Sequence, residues 1–375
     1  MSGRTRWMLL ALVAAVLTVT GTAVTSGKSR DDGTKSATTD DGTRGQGRDD
    51  RQGGENGDDR KGGQGRDDRQ GGENGDDRRG RQGRDDRQGG RSRPGVYEIP
   101  GANVFPEGIA LDGRTFFVTS TTDGTIFKGD VGRAALTPFA AGGADGRTTA
   151  VGLKADGRGR LLVAGGGTGK AFVLSEADGS TLKVLDSKPG SSQTFINDVT
   201  VAGGYAYFTD SLRPVILRAA TSGDTVGELE PWLDLSGTPF VYKDGFNANG
   251  IVSYDGGRIL VVVQSNTGKL FRVDTRTKVV SEIDLGGRTL TNGDGLVARG
   301  SRLFVVRNTD NQIVEVKLRH GKRAGRVGGT ITSDRFAFPT TAARDGKRLL
   351  VVNSQFDKRG GTPELPFTVA AVRLP

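Results

Sequence analysis

Cysteine is absent from this chain of 375 residues, and histidine occurs once. The missing thiol excludes disulfides, thiolate metal sites and cysteine nucleophiles in one step. The lone imidazole, His320, argues against copper, zinc or iron redox centres built on histidine, superoxide chemistry included, and against a Ser-His-Asp triad. It stands in the basic turn Arg319-His320-Gly321-Lys322, where a solvent-exposed position is expected. Sustained helical periodicity is also missing, so the core must come from strands. A formal charge of +9 suggests nucleic acid, yet no Lys/Arg run is interleaved with aromatic residues. The excess is spread over the first residues and single positions at turns. A solvated basic surface and no nucleic-acid partner are expected.

Composition shifts sharply along the chain. Residues 1–26 have the three parts of a secretory signal: Arg4 and Arg6, an uncharged apolar run from Trp7 to Val24, and small residues near Thr22-Ala23 and Thr25-Ser26. The run is near the lower limit for crossing a bilayer, so an uncleaved anchor is the alternative and the only membrane contact expected. No Cys follows it, which excludes a bacterial lipid anchor. Residues 27–93 form a spacer. There Arg48-Asp49-Asp50-Arg51-Gln52-Gly53-Gly54 recurs from Arg66 and from Arg84, and the repeats hold no aliphatic or aromatic residue. Folding would bury almost nothing against its entropy cost, so a disordered tether is expected. The paired Asp residues lack EF-hand spacing and sit beside Arg, which argues against calcium loops there. A secreted or cell-surface protein follows.

Residues 94–375 carry a longer repeat. Short segments align as Glu107-Gly108-Ile109-Ala110-Leu111, Val151-Gly152-Leu153-Lys154-Ala155, Asn197-Asp198-Val199-Thr200-Val201, Asn249-Gly250-Ile251-Val252-Ser253, Asp294-Gly295-Leu296-Val297-Ala298 and Thr340-Thr341-Ala342-Ala343-Arg344. Their spacing, on the order of 45 residues, is that of four-stranded propeller blades. Turns such as Asp112-Gly113 and Asp345-Gly346 lead into stronger apolar strands, among them Leu260-Val261-Val262-Val263 and Leu303-Phe304-Val305-Val306. The expected fold is all-β, a six-bladed β-propeller. Its last unit ends one strand short, and Val96-Tyr97-Glu98-Ile99 supplies the missing outer strand. An open β-solenoid is the alternative, but its ends would lack caps.

In such a ring the first positions of the inner strands face one axis. They read Glu107, Val151, Asn197, Asn249, Asp294 and Thr340. Four carry oxygen donors suited to a hard cation, two of them charged. Gly108, Gly250 and Gly295 follow, allowing close backbone approach; Asp198 breaks that pattern and is placed to orient Asn197 or help hold an ion. The competing account is a water-filled channel lined by polar residues.

This combination resembles the family of senescence marker protein (regucalcin), gluconolactonase and luciferin-regenerating enzyme, and more distantly the paraoxonases. The resemblance runs through Phe105-Pro106-Glu107-Gly108, Phe195-Ile196-Asn197-Asp198, Asn247-Ala248-Asn249-Gly250 and Asn292-Gly293-Asp294-Gly295. It implies that Glu107, Asn197, Asn249 and Asp294 bind a divalent metal, calcium first, with magnesium, manganese or zinc as alternatives. It also implies hydrolysis of lactones or related esters. Sugar-lactone members have Arg two positions before the third-blade Asn. Phe195 stands there in this chain, which points to a less polar substrate.

An ion at this point would polarise a carbonyl and activate water. Asp294, then Asp198, are the candidate catalytic carboxylates. The segment from Pro239 to Phe246, with Phe240, Tyr242, Lys243 and Phe246, is a candidate substrate rim or a plain surface loop. The stretch Gly165 to Lys170 looks like a phosphate loop, but Ala164 and Ala171 break the motif and strands flank it, so a hairpin turn is expected. A monomer acting on a small-molecule lactone or ester is expected. The alternative is a non-catalytic extracellular propeller that binds a ligand or protein around a structural calcium.

Overall fold

A computed structural model of the chain describes residues 93–375. The expected signal and spacer lie outside the described residues, apart from Arg93. Six four-stranded antiparallel sheets form the blades of a β-propeller. Their inner strands are Pro106–Asp112, Leu153–Ala155, Ile196–Ala202, Ala248–Tyr254, Gly293–Arg299 and Pro339–Asp345. Each inner strand contacts those of the two neighbouring blades, which closes the ring.

The apolar runs of the second strands are explained by what lies on both sides of them. In Ile259–Gln264, the side chains of Ile259, Val261 and Val263 enter the core shared with blade five, while Leu260 and Val262 enter the core shared with blade three. Leu303 and Val305 likewise face blade four, and Phe304 and Val306 face blade six. Alternation by two residues normally leaves one face of an antiparallel sheet in water. Here the next blade covers that face, so both sets are apolar and the run looks continuous. Each seam between blades therefore has its own core. Burying one such Val, Leu or Phe contributes about 1.5–3 kcal/mol.

Closure follows the expected route. The sixth blade consists of Pro339–Asp345, Arg348–Asn353 and Phe367–Arg373, and the N-terminal strand Val96–Ile99 pairs antiparallel with Phe367–Arg373 as its outer edge. Tyr97 pins this joint. Its ring is fully buried, meets Phe116 of blade one edge-on at 5.1 Å, and its hydroxyl donates to the Val131 carbonyl at 2.8 Å. Arg348 of blade six donates to the same hydroxyl at 3.1 Å. One side chain thus holds both blades of the closing seam. The stretch after Ala164 turns directly into the strand Lys170–Ser175, so the glycine-rich segment is a hairpin turn.

Tyr97→Ala should cost about 3–5 kcal/mol in chemical denaturation, and Tyr97→Phe about 1 kcal/mol, since the latter loses only hydroxyl bonds. A loss below about 1 kcal/mol for Tyr97→Ala would show that the closing strand contributes little.

Candidate functional site

Five of the six inner strands carry a register irregularity at one equivalent place. In blade one Pro106 pairs with Ser120 and Ile109 with Val118, so Glu107 and Gly108 together oppose Thr119. The same two-against-one step lies between Ile196 and Val199, Ala248 and Ile251, Gly293 and Leu296, and Pro339 and Ala342. A bulge of this kind re-aims a side chain out of the pleat. Its first residue is Glu107, Asn197, Asn249, Asp294 or Thr340, the ring read from the sequence. All five are buried. In blade two the inner strand begins later, at Leu153, and Val151 occupies the ring position with an apolar side chain.

The second bulge residue sets how closely the blades approach. A Cβ on Gly108 would collide with the Val151 carbonyl, and one on Gly250 with the Asp294 carbonyl. Glycine is required there because the next blade's backbone fills the space. Asp198 occupies this place in blade three. Its carboxylate accepts the Val199 N–H at 2.8 Å and, across the seam, the Ile251 N–H at 3.0 Å. Asn197 is oriented instead by Ser211, so the positioning role considered for Asp198 belongs to that serine.

A relay of hydroxyls fixes the amides. Ser211 Oγ donates to the Ala248 carbonyl at 2.6 Å, so it must accept from Asn197 Nδ2, 2.9 Å away. Ser265 repeats this one blade on, donating to the Gly293 carbonyl and accepting from Asn249 Nδ2 at 3.0 Å. Asn308 stands at the equivalent place in blade five and donates to Asp294 Oδ2 at 3.0 Å. With the nitrogen of Asn197 committed, its Oδ1 is left buried without a partner, and Glu107 Oε2 is in the same condition. Buried acceptors left unpaired are costly.

The electrostatics point the same way. Burial, then the charges of Asp294 and Asp198, push the Glu107 carboxyl well above the usual range. Burial raises Asp294 to about 7, with Asp198 adding to the rise and hydrogen bonds from Asn308 and Asn249 opposing it. Asp198 is raised by burial and drawn back by the Ile251 and Val199 amides and by Lys154. Glu107 thus senses the charge of Asp294. Two buried carboxylates and two unpartnered oxygens fit an oxygen-ligated divalent cation, which would neutralise the first and satisfy the second. Among the described residues no group of three or more His, Cys, Asp or Glu side chains has metal-binding proximity, so such a site depends on the amide oxygens.

The expected rim is corrected in part. Phe240 is a core residue, packed on Phe271 at 4.2 Å, and Tyr242 donates its hydroxyl to the Asp210 carbonyl at 2.5 Å. Lys243 is exposed. Phe246 meets Phe195 edge-on at 4.9 Å, two residues before Asn197. Phe105 and Phe338 occupy that same place before Glu107 and Thr340, both at positive φ. Sequence reading singled out Phe195, Phe246 and Phe105 but missed Phe338 and the relay hydroxyls, although aligning the blades at positions flanking the ring would have shown both. His320 is exposed, as expected, on a surface groove of about 570 Å³ with Tyr254, Asp255 and Lys322. That groove adjoins the far ends of the inner strands, away from the bulges.

The fold is similar to that of Mala s 1, an allergen of Malassezia sympodialis, with 13% identity and a TM-score of 0.56 over 75% of this chain and 96% of that one. Luciferin-regenerating enzyme matches at 14% identity and a TM-score of 0.52, covering 74% and 93% of the two chains. Virginiamycin B lyase from Staphylococcus aureus matches at 13% identity and 0.50, covering 75% and 98%. At such identities the likeness establishes the propeller and nothing finer. No protein-family profile and no curated protein sequence matches the chain.

The raised carboxyls carry a pH signature. A group that holds its proton more tightly folded than unfolded stabilises the fold below about pH 4 and loses that contribution as pH rises through its folded value. With chelator present, the wild-type melting temperature minus that of Glu107→Gln/Asp294→Asn should therefore fall by several degrees between pH 5 and pH 8. A flat difference would show that the two carboxyls are not held protonated.

Proposed function

We propose that this chain is an exported, metal-dependent hydrolase of lactones or related esters. The observation that carries the reading is the pair of buried, unpartnered oxygens, Glu107 Oε2 and Asn197 Oδ1, on the same ring as the carboxyl of Asp294. Glu107, Asn197, Asn249 and Asp294 would hold the ion. Calcium suits this all-oxygen set best, with magnesium, manganese or zinc as alternatives. When bound, the ion supplies Lewis acidity toward a carbonyl oxygen and toward water.

The chain's own residues then have separable tasks. Ser211 and Ser265 hold the amides of Asn197 and Asn249 with their nitrogens turned to the blades. Asp294, fixed by Asn308, is the ring carboxylate placed to take up a proton from water. Asp198 contributes negative charge; both its oxygens already accept backbone N–H groups, which makes it the weaker proton acceptor. Phe195 and Phe246 give the mouth an apolar side, in keeping with a substrate less polar than a sugar acid. Luciferin-regenerating enzyme and virginiamycin B lyase are enzymes on this fold, while Mala s 1 is an allergen, so the fold supports catalysis without requiring it. Export rests on residues 1–26, and action on a small molecule as a monomer completes the proposal.

Full-length protein should bind one calcium ion per chain in calorimetry, with affinity at least about tenfold lower in Glu107→Gln and in Asp294→Asn. Across a panel of aryl and aliphatic lactones, hydrolysis should fall on the order of a hundredfold with chelator or in Asp294→Ala, at an unchanged far-UV spectrum. Stoichiometric calcium with no hydrolysis anywhere in the panel would instead favour a binding propeller with a structural ion.

A further inference from the structure

The loop joining Arg348–Asn353 to Phe367–Arg373 lies on the same face as the bulges, since the second strands end where the inner strands begin. It carries Arg359 over the seam between blades six and one. The guanidinium stacks between two rings, 4.8 Å from the centroid of Phe105 and 5.0 Å from that of Phe356. Phe338 extends the aromatic wall, 6.0 Å from Phe356. Nη2 donates to Thr121 Oγ1. In blade one Thr121 is the counterpart of Ser211 and Asn308, each 14 residues after its ring residue, and Glu107 is the ring residue it follows. Arg359 therefore reaches a hydroxyl that itself donates to the Phe105 carbonyl at 2.6 Å, two residues before Glu107.

Its charge is unanswered. Nε is buried without a hydrogen-bond partner. Burial alone lowers its pKa to about 10, with no carboxylate offsetting the shift. Two cation–π contacts offset part of this desolvation, but the buried Nε is left without an acceptor and no carboxylate balances the charge.

We propose that Arg359 is the anion-recognition residue of this mouth, and that the ligand taken here is a small, flat, apolar molecule bearing a carboxylate. The planar fork matches a carboxylate, and Phe105, Phe338 and Phe356 offer flat apolar contact beside it. Arg359 lies over the seam, which makes the seam the place of that carboxylate and leaves the uncharged part of the ligand to extend toward the ring. The inference deepens the proposed small-molecule site and rests on it, but needs neither the metal nor hydrolysis.

Fluorine NMR titration of the full-length protein with 4-fluorobenzoate and 4-fluorobenzamide, in excess calcium and again in chelator, tests it. Benzoate affinity should fall about tenfold in Arg359→Gln, less in Arg359→Lys, and equally with or without calcium, while benzamide binding stays unchanged. The melting temperature of Arg359→Gln should drop by no more than about a few degrees, since two cation–π contacts and one hydrogen bond are lost but no ion pair; should that variant fail to fold, Arg359→Lys carries the comparison. Equal benzoate affinity in wild type and variants, benzoate binding abolished by chelator but indifferent to Arg359, or no binding of either probe would each overturn the proposal. Failure of the hydrolase reading shows separately, as missing lactone turnover with the benzoate preference intact.

Discussion

The contact on which the site depends is the close approach of one blade's inner backbone to the next. Gly108 and Gly250 leave no room for a Cβ because the neighbouring strand's carbonyl occupies that space. This proximity lets single hydroxyls cross the seams. Thr119 Oγ1 donates to the Val151 carbonyl at 2.7 Å, Thr209 Oγ1 to the Asn249 carbonyl at 2.8 Å, and Thr340 Oγ1 to the Glu107 carbonyl at 2.9 Å. The bulges that aim the ring side chains are thus held by neighbours on either side, and the ring residues inherit their positions from the closure of the whole propeller.

Such a frame can carry a poorly solvated cluster. Glu107, Asp294 and Asp198 are buried carboxyls that hold their protons more tightly than carboxyls in water, and two acceptors there lack donors. The seams that surround them are filled with Val, Leu and Phe, whose summed burial greatly exceeds the strain of one polar cluster. Unsatisfied groups sit where the structure is most tightly determined, as in sites that await a ligand.

Around the mouth the chemistry changes from one blade to the next. Blades three to five supply amides and a carboxylate to the ring, and blades six and one supply aromatic rings and a guanidinium at the seam above it. Pseudo-symmetry therefore ends at the side chains: the backbone repeats, and the two sides of the mouth present different surfaces.

The amino-acid sequence by itself determined the number of blades, the closing strand and the residues of the ring, because each depends on a repeat spaced along the chain. Period-two runs and Gly turns recur once per blade, and Glu107, Asn197, Asn249 and Asp294 open the same short motif. Tertiary structure alone decided what those residues meet. Asp198 is drawn to an amide of the next blade by a contact 53 residues away, Phe240 folds into the core, and Arg359 reaches Thr121 across 238 residues. Local pattern specifies a strand and its faces, but partners across a seam are chosen only when the ring closes.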